Sequence, residues 1–544
     1  MKKYFLLASF LGATLTMSAQ SFAGGTGTAE DPYQVATAEQ LQAVTDFTTS
    51  NFIQTADIDL EGVAFNPIAT FTGVYDGGGH FIDNYTIESG SDGAGLFARL
   101  NTPGVIKNVK MRYAYIVGGN WSGILCSTNG NWEVLGGNIE NCEIYDSSIE
   151  AMGNVGAFAG VAGGNFIGCR AFNVTVEGTE TVGGISGDNE GGGRYKDCSF
   201  HGSVIGSANT GGICAFYNGA CKWDYAFENC VVYGSVSSSS GTIGGVLGQP
   251  NWNCENAHIT NCAVFADCSG QCVGSFGGNA LRGKLTNSYA TGNVKATGQW
   301  THDVYTDNWN GGLCSVNFNG PIENCYFSGV ITGTDDVKTA GICGRNWPGI
   351  TVSHTYYNSD GAPMGMGDGD DPTTYDTKDL LPEEMLVLSN FKFSDMSKWQ
   401  IAEGTTPFFA NQTAPLKITE CTTAKIAGTG EADLDFVYIY GSLSETITKP
   451  VTISNGAWSV ELADGDAVES ETVTVIGIGK NKMPSMVTKA KVGEATGITS
   501  ATANTVKTVK AIYNVAGQRV NGIQRGQVNI VKYADGTSVK VTGK

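Results

Sequence analysis

The chain is poor in positive charge. It has 32 Lys and Arg against 52 Asp and Glu among 544 residues, which gives a formal net charge of −20. Proteins that bind nucleic acid or anionic lipid use clustered Lys and Arg against the phosphates. The composition therefore argues against nucleic acid and against an anionic membrane surface as partners.

Histidine is also scarce, with five residues in the whole chain. None of them lies in a His-Glu-x-x-His motif, in which two histidines on one helical face bind zinc. The sequence has no Gly-x-Ser-x-Gly nucleophile elbow and no Walker phosphate loop. We therefore predict no catalytic residues, no metal site and no cofactor, and we expect the protein not to be an enzyme.

Long apolar runs are almost absent. One such run, residues 4–17, follows two lysines at the amino terminus and is too short to span a bilayer. We interpret residues 1–23 as a secretory signal peptide that is cleaved after Ala19 or Ala23. No cysteine lies near these positions, so we expect no lipid anchor. The sequence predicts a protein that is secreted or displayed on the outer cell surface, without a transmembrane segment.

Proline is scarce and glycine is abundant, with 13 and 76 residues, which suits many tight turns. Between residues 106 and 355, a four-residue phrase of the type Ile-x-Asn-Cys recurs nine times with a mean period of about 31 residues. Such a period is typical of a solenoid, in which each repeat buries its apolar side chains against its neighbours. The nine phrases end at Val109, Cys142, Cys169, Cys198, Cys230, Cys262, Ser288, Cys325 and Thr355.

Each repeat contains three predicted strands. A short strand ends at the phrase, a β-branched strand such as residues 174–176 follows, and a glycine-punctuated strand such as residues 182–185 closes the repeat. Short strands without a helical period indicate a parallel β-helix, and parallel crossovers are almost always right-handed. We expect the asparagine of each phrase in a turn, because asparagine tolerates the left-handed conformation. The predicted fold class is all-β, with a right-handed parallel β-helix.

Fifteen cysteines in an exported protein invite a disulfide interpretation. Most of them share a repeat position with Val, Ser or Thr, which predicts a buried ladder of free thiols. Cys221 and Cys254 differ, because each lies seven residues after a second shared position. Stacked coils would bring them about 4.8 Å apart, within disulfide reach, so a Cys221–Cys254 bridge is our hypothesis. The second shared position holds Ala159, Ser186, Cys214, Leu247, Cys314 and Cys343.

The repeats also delimit the remaining parts of the chain. We assign residues 24–358 to the β-helix, with an N-terminal cap that includes a short helix near residue 38. Residues 359–415 break the period and are predicted to be a linker with a short helix. Alternating strands in residues 416–493 predict an immunoglobulin-like β-sandwich, and residues 494–544 a small C-terminal β module.

Several short motifs stand out beside the repeats: Asp31-Pro-Tyr33, Ala56-Asp-Ile-Asp-Leu60, Phe71-Thr-Gly-Val-Tyr-Asp-Gly-Gly-Gly-His80 and Gly95-Leu-Phe97. Together with the Gly-Gly-Ile/Leu and Ile-x-Asn-Cys repeats, they resemble the motifs of proteins that carry GLUG repeats. The resemblance covers about residues 24–358. Such proteins are bacterial surface or secreted molecules, some of them adhesin-like, and the repeat also occurs beside the catalytic domain of IgA-specific metalloendopeptidases. The resemblance implies location and architecture more than activity.

The later segments resemble other bacterial modules. Residues 416–493 are similar to bacterial immunoglobulin-like modules, in which Trp458 would be a core residue. Residues 494–544 resemble C-terminal tails of exported Bacteroidetes proteins, some of which direct type IX secretion. The tail departs from that pattern at residues 527–530, so we predict a small β module and leave its sorting or anchoring role open.

Aromatic residues recur a few positions after the second shared position, and five of the nine tryptophans directly follow an asparagine. Equal offsets in a solenoid become a line along one edge. Flat rings beside amide groups suit sugars, which have apolar C–H faces and polar hydroxyls. The alternative is that the rings cover the core and the asparagines cap turns. The predicted ligand-binding residues are Tyr217, Asn218, Asn251, Trp252, Phe318, Asn319, Asn346 and Trp347.

Three functions remain open. The leading hypothesis is non-enzymatic, adhesin-like recognition of glycans or of host or environmental proteins. The second is a carbohydrate-active enzyme, either a polysaccharide lyase or a glycosidase, because Asp188 and Glu190 follow one glycine-rich strand with Arg194 and Lys196 nearby. The third is a structural spacer at the cell surface. The sequence names neither a ligand nor an oligomeric state.

Overall fold

The computed structural model describes residues 22–493 and five strands between residues 500 and 542. Most of the predicted signal peptide, residues 1–23, therefore lies outside the described residues. No helix in the described part is long and apolar enough to cross a membrane. Within residues 22–493, the residues not described are 253, 255, 280, 303–304, 308, 369–374, 442–446 and 448–450.

Four short strands make up each regular coil of a parallel β-solenoid. The first strand of the coil contains the start of the repeated phrase. Because successive coils stack with the same register, these strands form a twelve-stranded parallel sheet, the first sheet. Its strands are Tyr33–Val35, Asn51–Gln54, Val74–Asp76, Val105–Lys107, Asn138–Glu140, Asn165–Ile167, Tyr195–Lys196, Phe227–Glu228, Ile259–Thr260, Leu285–Thr286, Ile322–Glu323 and Val352–Ser353.

A turn at the third residue of the phrase leads into the second sheet. This residue has a left-handed backbone in each repeat, with φ of 54° at Asn108, 51° at Asn261 and 51° at His354. The predicted asparagine turn is confirmed. The seventeen strands of the second sheet are Ile58–Asp59, Phe81–Asp83, Thr86–Ile87, Lys110–Arg112, Tyr115–Gly118, Glu143–Ala151, Arg170–Gly178, Ser199–Gly206, Val231–Ser238, Ala263–Val264, Asp267–Gly270, Tyr289–Ala290, Val294–Ala296, Tyr326–Phe327, Ile331–Gly333, Thr355–Asn358 and Thr377–Leu380.

The glycine-punctuated segment forms two strands where the sequence predicted one. The chain turns between them, and a Cβ on Gly184 would lie 2.1 Å from the carbonyl oxygen of Gly212 in the next coil, so the turn has no room for a side chain. The strands before the turn form the third sheet and a continuing pair: Ser122–Gly123, Asn154–Gly156, Thr181–Gly183, Asn209–Gly211, Thr242–Gly244, Cys272–Gly274, then Trp309–Gly311 and Lys338–Ala340.

The strands after the turn form the fourth face of the solenoid. They begin at the second shared position, where Ala159, Ser186 and Cys214 stack in register. From here each coil returns to the first sheet through a loop of variable length. An antiparallel hairpin, Trp300–His302 with Tyr305–Asp307, lies between Val294–Ala296 of the second sheet and Trp309–Gly311. The strands of the fourth face are Phe97–Arg99, Cys126–Asn129, Ala159–Ala162, Ser186–Asn189, Cys214–Tyr217, Leu247–Pro250, Cys314–Asn317, Cys343–Asn346 and Met366–Asp368.

The predicted cysteine ladder is confirmed. All nine side chains at the end of the phrase are buried, and the fifteen cysteines are free. The Cys198 Sγ donates to the carbonyl oxygen of Lys196 at 3.3 Å, an example of the hydrogen bonds that these buried thiols form with nearby backbone carbonyl groups. Beside the ladder, Phe166, Tyr195 and Phe227 stack face to face with centroids 5.2 and 5.0 Å apart. The interior is therefore built from columns of equivalent side chains.

The N-terminal cap contains the predicted helix, Ala38–Ala43, followed by a 3₁₀ turn, Val44–Asp46. The amide of Gln40 donates to Thr37 Oγ1 at 3.3 Å, and the Gln40 Oε1 accepts from the amide of Ala36 at 2.8 Å. This reciprocal pair satisfies two helix-end amides. The cap lies against the next coil, where Gln42 Nε2 donates to the carbonyl oxygen of Asn66 at 3.1 Å and the amide of Ala69 donates to Thr45 Oγ1 at 3.0 Å.

The solenoid continues past residue 358, where the sequence predicted a linker. Met366–Asp368 and Thr377–Leu380 each add a parallel strand. Residues 381–415 then fold back over the outer face of the second sheet, so the period ends because the chain covers the coils instead of adding to them. This segment contains three 3₁₀ turns, Glu384–Leu386, Leu388–Asn390 and Met396–Lys398, and the antiparallel pair Trp399–Gln400 and Phe408–Phe409.

Residues 416–493 and the strand Ser500–Ala501 form two four-stranded antiparallel sheets, and residues of both sheets share one apolar core. Trp458 is buried in that core as predicted. The immunoglobulin-like type of this module stays a prediction. One sheet contains Lys417–Cys421, Lys425–Thr429, Ala457–Glu461 and Thr452–Ser454; the other contains Leu434–Gly441, Thr472–Gly479, Thr488–Lys491 and Ser500–Ala501; a third antiparallel sheet contains Val509–Asn514, Arg519–Val520, Val528–Tyr533 and Ser538–Thr542.

The segment 381–493, here called the cover, is anchored on two outward rows of the second sheet. The Tyr289 hydroxyl donates to Gln412 Oε1 at 2.7 Å, and the Tyr233 hydroxyl donates to the carbonyl oxygen of Ser485 at 2.6 Å. Solenoid and cover thus share one apolar cluster. Row one includes Tyr289, Tyr326 and Tyr356, and row two, two residues further along each coil, includes Tyr145, Phe172, His201 and Tyr233.

The left-handed turn yields a stability prediction at Asn261. We expect Asn261→Val to lower the free energy of unfolding by about 1–2 kcal/mol, because a β-branched side chain is strained at positive φ. Asn261→Gly removes the same amide without that strain and serves as the matched control. Urea unfolding followed by circular dichroism measures both. Equal losses in the two variants would show that the amide, and not the backbone conformation, matters at this position.

Candidate binding edge

The aromatic edge is the corner where the fourth face passes into the first sheet. The strands on both sides of this corner stack in register, but the loops between them differ in length. Six consecutive coils supply these loops: residues 190–194, 218–226, 251–258, 282–284, 318–321 and 347–351. Side chains from the loops are therefore held in line by the rigid ladders on either side.

Three of the predicted aromatic residues meet on this edge. The Phe318 and Trp347 rings stack with centroids 4.7 Å apart, and Trp252 meets Phe318 edge to face at 5.5 Å. Trp252 is 50% exposed and Trp347 is 46% exposed, while Phe318 is half-buried between them. The cluster presents two indoles to solvent with a phenyl ring as their spacer.

An arginine that the sequence analysis missed completes the cluster. The guanidinium carbon of Arg282 lies 4.6 Å from the Trp252 ring centroid and 5.1 Å from that of Phe318. Its Nη1 also donates to the carbonyl oxygen of Trp252 at 2.7 Å. These contacts tie the Trp252 loop to the next coil and hold the indole in one orientation.

A second arginine–tryptophan pair lies on the same edge. The guanidinium carbon of Arg194 is 4.2 Å from the ring centroid of Trp223, which is exposed on the following coil. Sequence reasoning missed Trp223 because its longer loop places it at no shared offset. Trp223 could have been found from its position in the loop that joins the fourth face to the first sheet.

The predicted asparagines have different roles. Asn251 Nδ2 donates to Asn218 Oδ1 at 2.6 Å, which links two neighbouring loops at the surface. Asn346 is buried, and its Nδ2 donates to the carbonyl oxygen of Ile350 at 2.9 Å, so it caps a turn as the alternative interpretation expected. Asn319 is exposed beside Phe318. Asn218, Asn251 and Asn319 can therefore contact a ligand, and Asn346 supports the loop.

Tyr217 does not belong to the exposed edge. It is the last residue of the strand Cys214–Tyr217 and is fully buried. Its hydroxyl donates to the carbonyl oxygen of Gly193 at 2.9 Å. Three residues after the second shared position the chain is still in the strand and this side chain points inward, whereas Phe318 and Trp347, four residues after it, are already in the loop.

The expected Cys221–Cys254 bridge is not formed in this structure, where both residues are free and buried. The Cys254 Sγ donates to the carbonyl oxygen of Gly219 at 3.4 Å, while the Cys221 amide donates to Asn256 Oδ1 at 3.1 Å. The two loops thus face each other with a shift of two residues. Two residues that follow their strands by the same number of positions are therefore not stacked on each other once they lie in the irregular loops.

The carboxylates considered for catalysis lie at the start of the edge. Asp188 is buried, and burial and then the Glu190 charge raise the pKa of its carboxyl to about 8. Its Oδ1 has no hydrogen-bond partner among the described residues. Lys196 pairs with Glu228 at 3.2 Å, and the Arg194 guanidinium rests on Trp223. Across the described ranges, no group of three or more metal-ligating side chains comes together.

The comparisons with known proteins agree with the repeat pattern. Residues 269–295 match the GLUG motif. The chain carries a GLUG motif. This segment runs from the second sheet through the glycine-rich turn to the next coil, so it describes one repeat of the solenoid.

Two further proteins share features with this chain. Halomucin of Haloquadratum walsbyi (strain DSM 16790 / HBSQ001) is 38% identical over 125 residues, which cover 19% of this chain and 1% of halomucin. The chain thus matches about a hundredth of that relative. A crystal structure of a candidate immunoglobulin A1 protease from Bacteroides ovatus aligns with a TM-score of 0.38 and 19% identity over 72% of this chain and 95% of that chain. A likeness of this degree carries no argument about activity.

Thiol labelling tests the cysteine assignments. We expect iodoacetamide to modify none of the fifteen cysteines in the native protein, because burial raises the pKa of thiols such as Cys126 and Cys214 to about 12 and the thiolate is the reactive form. After unfolding without reductant, intact mass should show fifteen modified thiols. Thirteen would show that one bridge forms in solution.

Asp188 should make stability depend on pH. The folded-state pKa of about 8 exceeds the unfolded value of 3.8, so the stability contributed by the protonated carboxyl is full below about pH 4 and is lost as pH rises towards 8. The free energy of unfolding of Asp188→Asn should therefore rise relative to that of the parent, by up to about 1.4 kcal/mol for each pH unit in this window. Unfolding at pH 5, 6.5 and 8 measures the difference. The exposed Asp335→Asn is the control, and a constant difference across pH would contradict the assignment.

Proposed function

We propose that this protein is an exported, non-enzymatic, adhesin-like molecule that binds glycans or surface proteins through the aromatic edge. The observation that carries the proposal is the cluster of Trp252, Arg282, Phe318 and Trp347, which four consecutive coils build on the surface. Isolated exposed aromatics are common, but an aligned and buttressed group marks an interaction site.

Glycans fit this group better than other partners. Exposed indoles offer flat apolar surface to the C–H faces of sugar rings, and the Asn218–Asn251 pair and Asn319 offer donors and acceptors for hydroxyls. Because Arg282 already holds Trp252 in place, little side-chain freedom is lost on binding. The net charge of −20 disfavours extended acidic polymers at long range. A neutral glycan chain is therefore our first ligand class.

A glycan array probed with residues 24–544 tests the proposal. We expect the double variant Trp252→Ala, Trp347→Ala to bind its glycan at least about tenfold more weakly, because buried tryptophans dominate interface energies. Trp121→Ala is the matched control, since Trp121 also follows an asparagine and is 51% exposed, but lies on the corner between the second and third sheets.

The thermal stability of all variants must be measured beside their binding. Loss of binding with an unchanged unfolding temperature supports the proposal. The proposal is contradicted if the parent binds no glycan and no protein of a surface-protein panel, or if the double variant binds like the parent. In that case the aromatic edge only shields the core of the solenoid, and the structural spacer becomes the favoured function. New reducing ends in the glycan samples would favour the carbohydrate-active enzyme.

A further inference from the structure

A cavity of about 440 Å³ lies between the second sheet and the cover. Its origin can be traced to row two of the second sheet. This row is aromatic from Tyr145 to Phe265, which stacks on Tyr233 at 5.1 Å. In the next three coils the same position, two residues after each row-one tyrosine, holds Thr291, Ser328 and Asn358. The missing ring volume is not filled by the cover, and the cavity remains.

His201 supplies a hydrogen-bonding ring to this cavity. The side chain lines the cavity and only 5% of the residue is exposed. Its Nδ1 accepts the amide of Asn173 at 3.2 Å and lies 3.4 Å from the Tyr438 hydroxyl. Burial lowers the pKa of this imidazole to about 3, so the ring is neutral at ordinary pH.

The hydrogen bonds of Nδ1 determine which nitrogen carries the proton. A neutral imidazole has one accepting and one donating nitrogen, and because Nδ1 accepts from Asn173, the proton is on Nε2. Nε2 has no hydrogen-bond partner among the described residues. Because His201 lines the cavity, its Nε2 donor is open to an acceptor on a ligand.

The other walls of the cavity indicate the class of ligand. Tyr440 lies 4.2 Å from the His201 ring, and both Tyr440 and Phe265 are partly exposed to the cavity. At the mouth, Asp267 Oδ1 accepts the amide of Asn293 at 2.8 Å. One acidic and one basic side chain, Asp267 and Lys489, line the cavity, so its charge is balanced. Aromatic walls with hydroxyls and amides between them suit a neutral polyhydroxylated ring.

We propose that this cavity binds a small neutral saccharide of one or two pyranose rings, with a sugar hydroxyl accepting from His201 Nε2 and a ring face against Phe265 or Tyr440. The volume lies within the range of small-molecule sites, which form preferentially between domains. This site is separate from the aromatic edge, because it faces the outside of the second sheet. It therefore goes beyond the proposed function and does not depend on it.

The site also couples ligand binding to the docking of the cover. One wall belongs to the solenoid and the other to residues 382–489. A ligand that binds only the docked arrangement stabilises it by mass action. Binding should therefore raise the unfolding temperature of the intact chain, which provides a readout that needs no knowledge of activity.

Thermal shift and calorimetry with cellobiose, maltose, lactose and N-acetylglucosamine as probes test the proposal on residues 24–544. We expect a saturable rise in unfolding temperature with at least one of them. His201→Phe keeps a ring but removes the donor, and should weaken that affinity about tenfold. His201→Gln can both accept from Asn173 and donate to the ligand, and should retain more of the affinity than His201→Phe.

A second variant keeps the proposal testable if the His201 variants do not fold. Thr291 lies on the cavity wall and is partly exposed, and Thr291→Trp should fill the cavity and abolish binding. The edge variant Trp252→Ala, Trp347→Ala should bind the small saccharide like the parent. The proposal is overturned if none of the four sugars binds, if Thr291→Trp leaves binding intact, if the edge variant abolishes it, or if a tripeptide such as trialanine binds and the sugars do not.

Discussion

The register between stacked coils is the constraint on which the rest of this structure depends. Hydrogen bonds between successive coils fix which residues lie above one another, and a shift by one residue would turn every inward side chain outward. The left-handed turn at the third residue of the phrase sets that register anew in each coil, from Asn108 to His354. The thiol column, the aromatic columns and the line of surface loops all follow from it.

Much of the solenoid could be read from the sequence because its interactions repeat. The phrase predicted the first strand, the asparagine turn and the buried position after it, since each repeat meets the same neighbours as the last. The exposed rings of Trp252 and Trp347 and the half-buried ring of Phe318 between them were found by the same logic. Tyr217 was misplaced because an offset alone does not tell whether the chain has left the strand. The bounds of the strand Cys214–Tyr217 decide that.

What the sequence could not show are contacts that do not repeat. Arg282 and Trp223 lie in loops of unequal length, so no common offset marks them. The two-residue shift between the Cys221 and Cys254 loops has the same origin. The docking of the cover was even less predictable. Tyr233 bonds Ser485, which lies 252 positions away, and the repeat pattern does not predict such a contact. The cavity at His201 arises where these two kinds of structure meet, and only the folded chain reveals it.

The tyrosine anchors of the cover also change how the molecule can come apart. A solenoid in which each coil touches only its neighbours can open one coil at a time from an end. Here Tyr233 and Tyr289, two coils apart, are fastened to the same cover, so these coils must open together with it. The coils nearest the amino terminus are held by stacking and by their cap. Under a pulling force the coils at the amino-terminal end would therefore unfold first, one after another. The coils that are bonded to the cover would resist the force, because they can unfold only together with it.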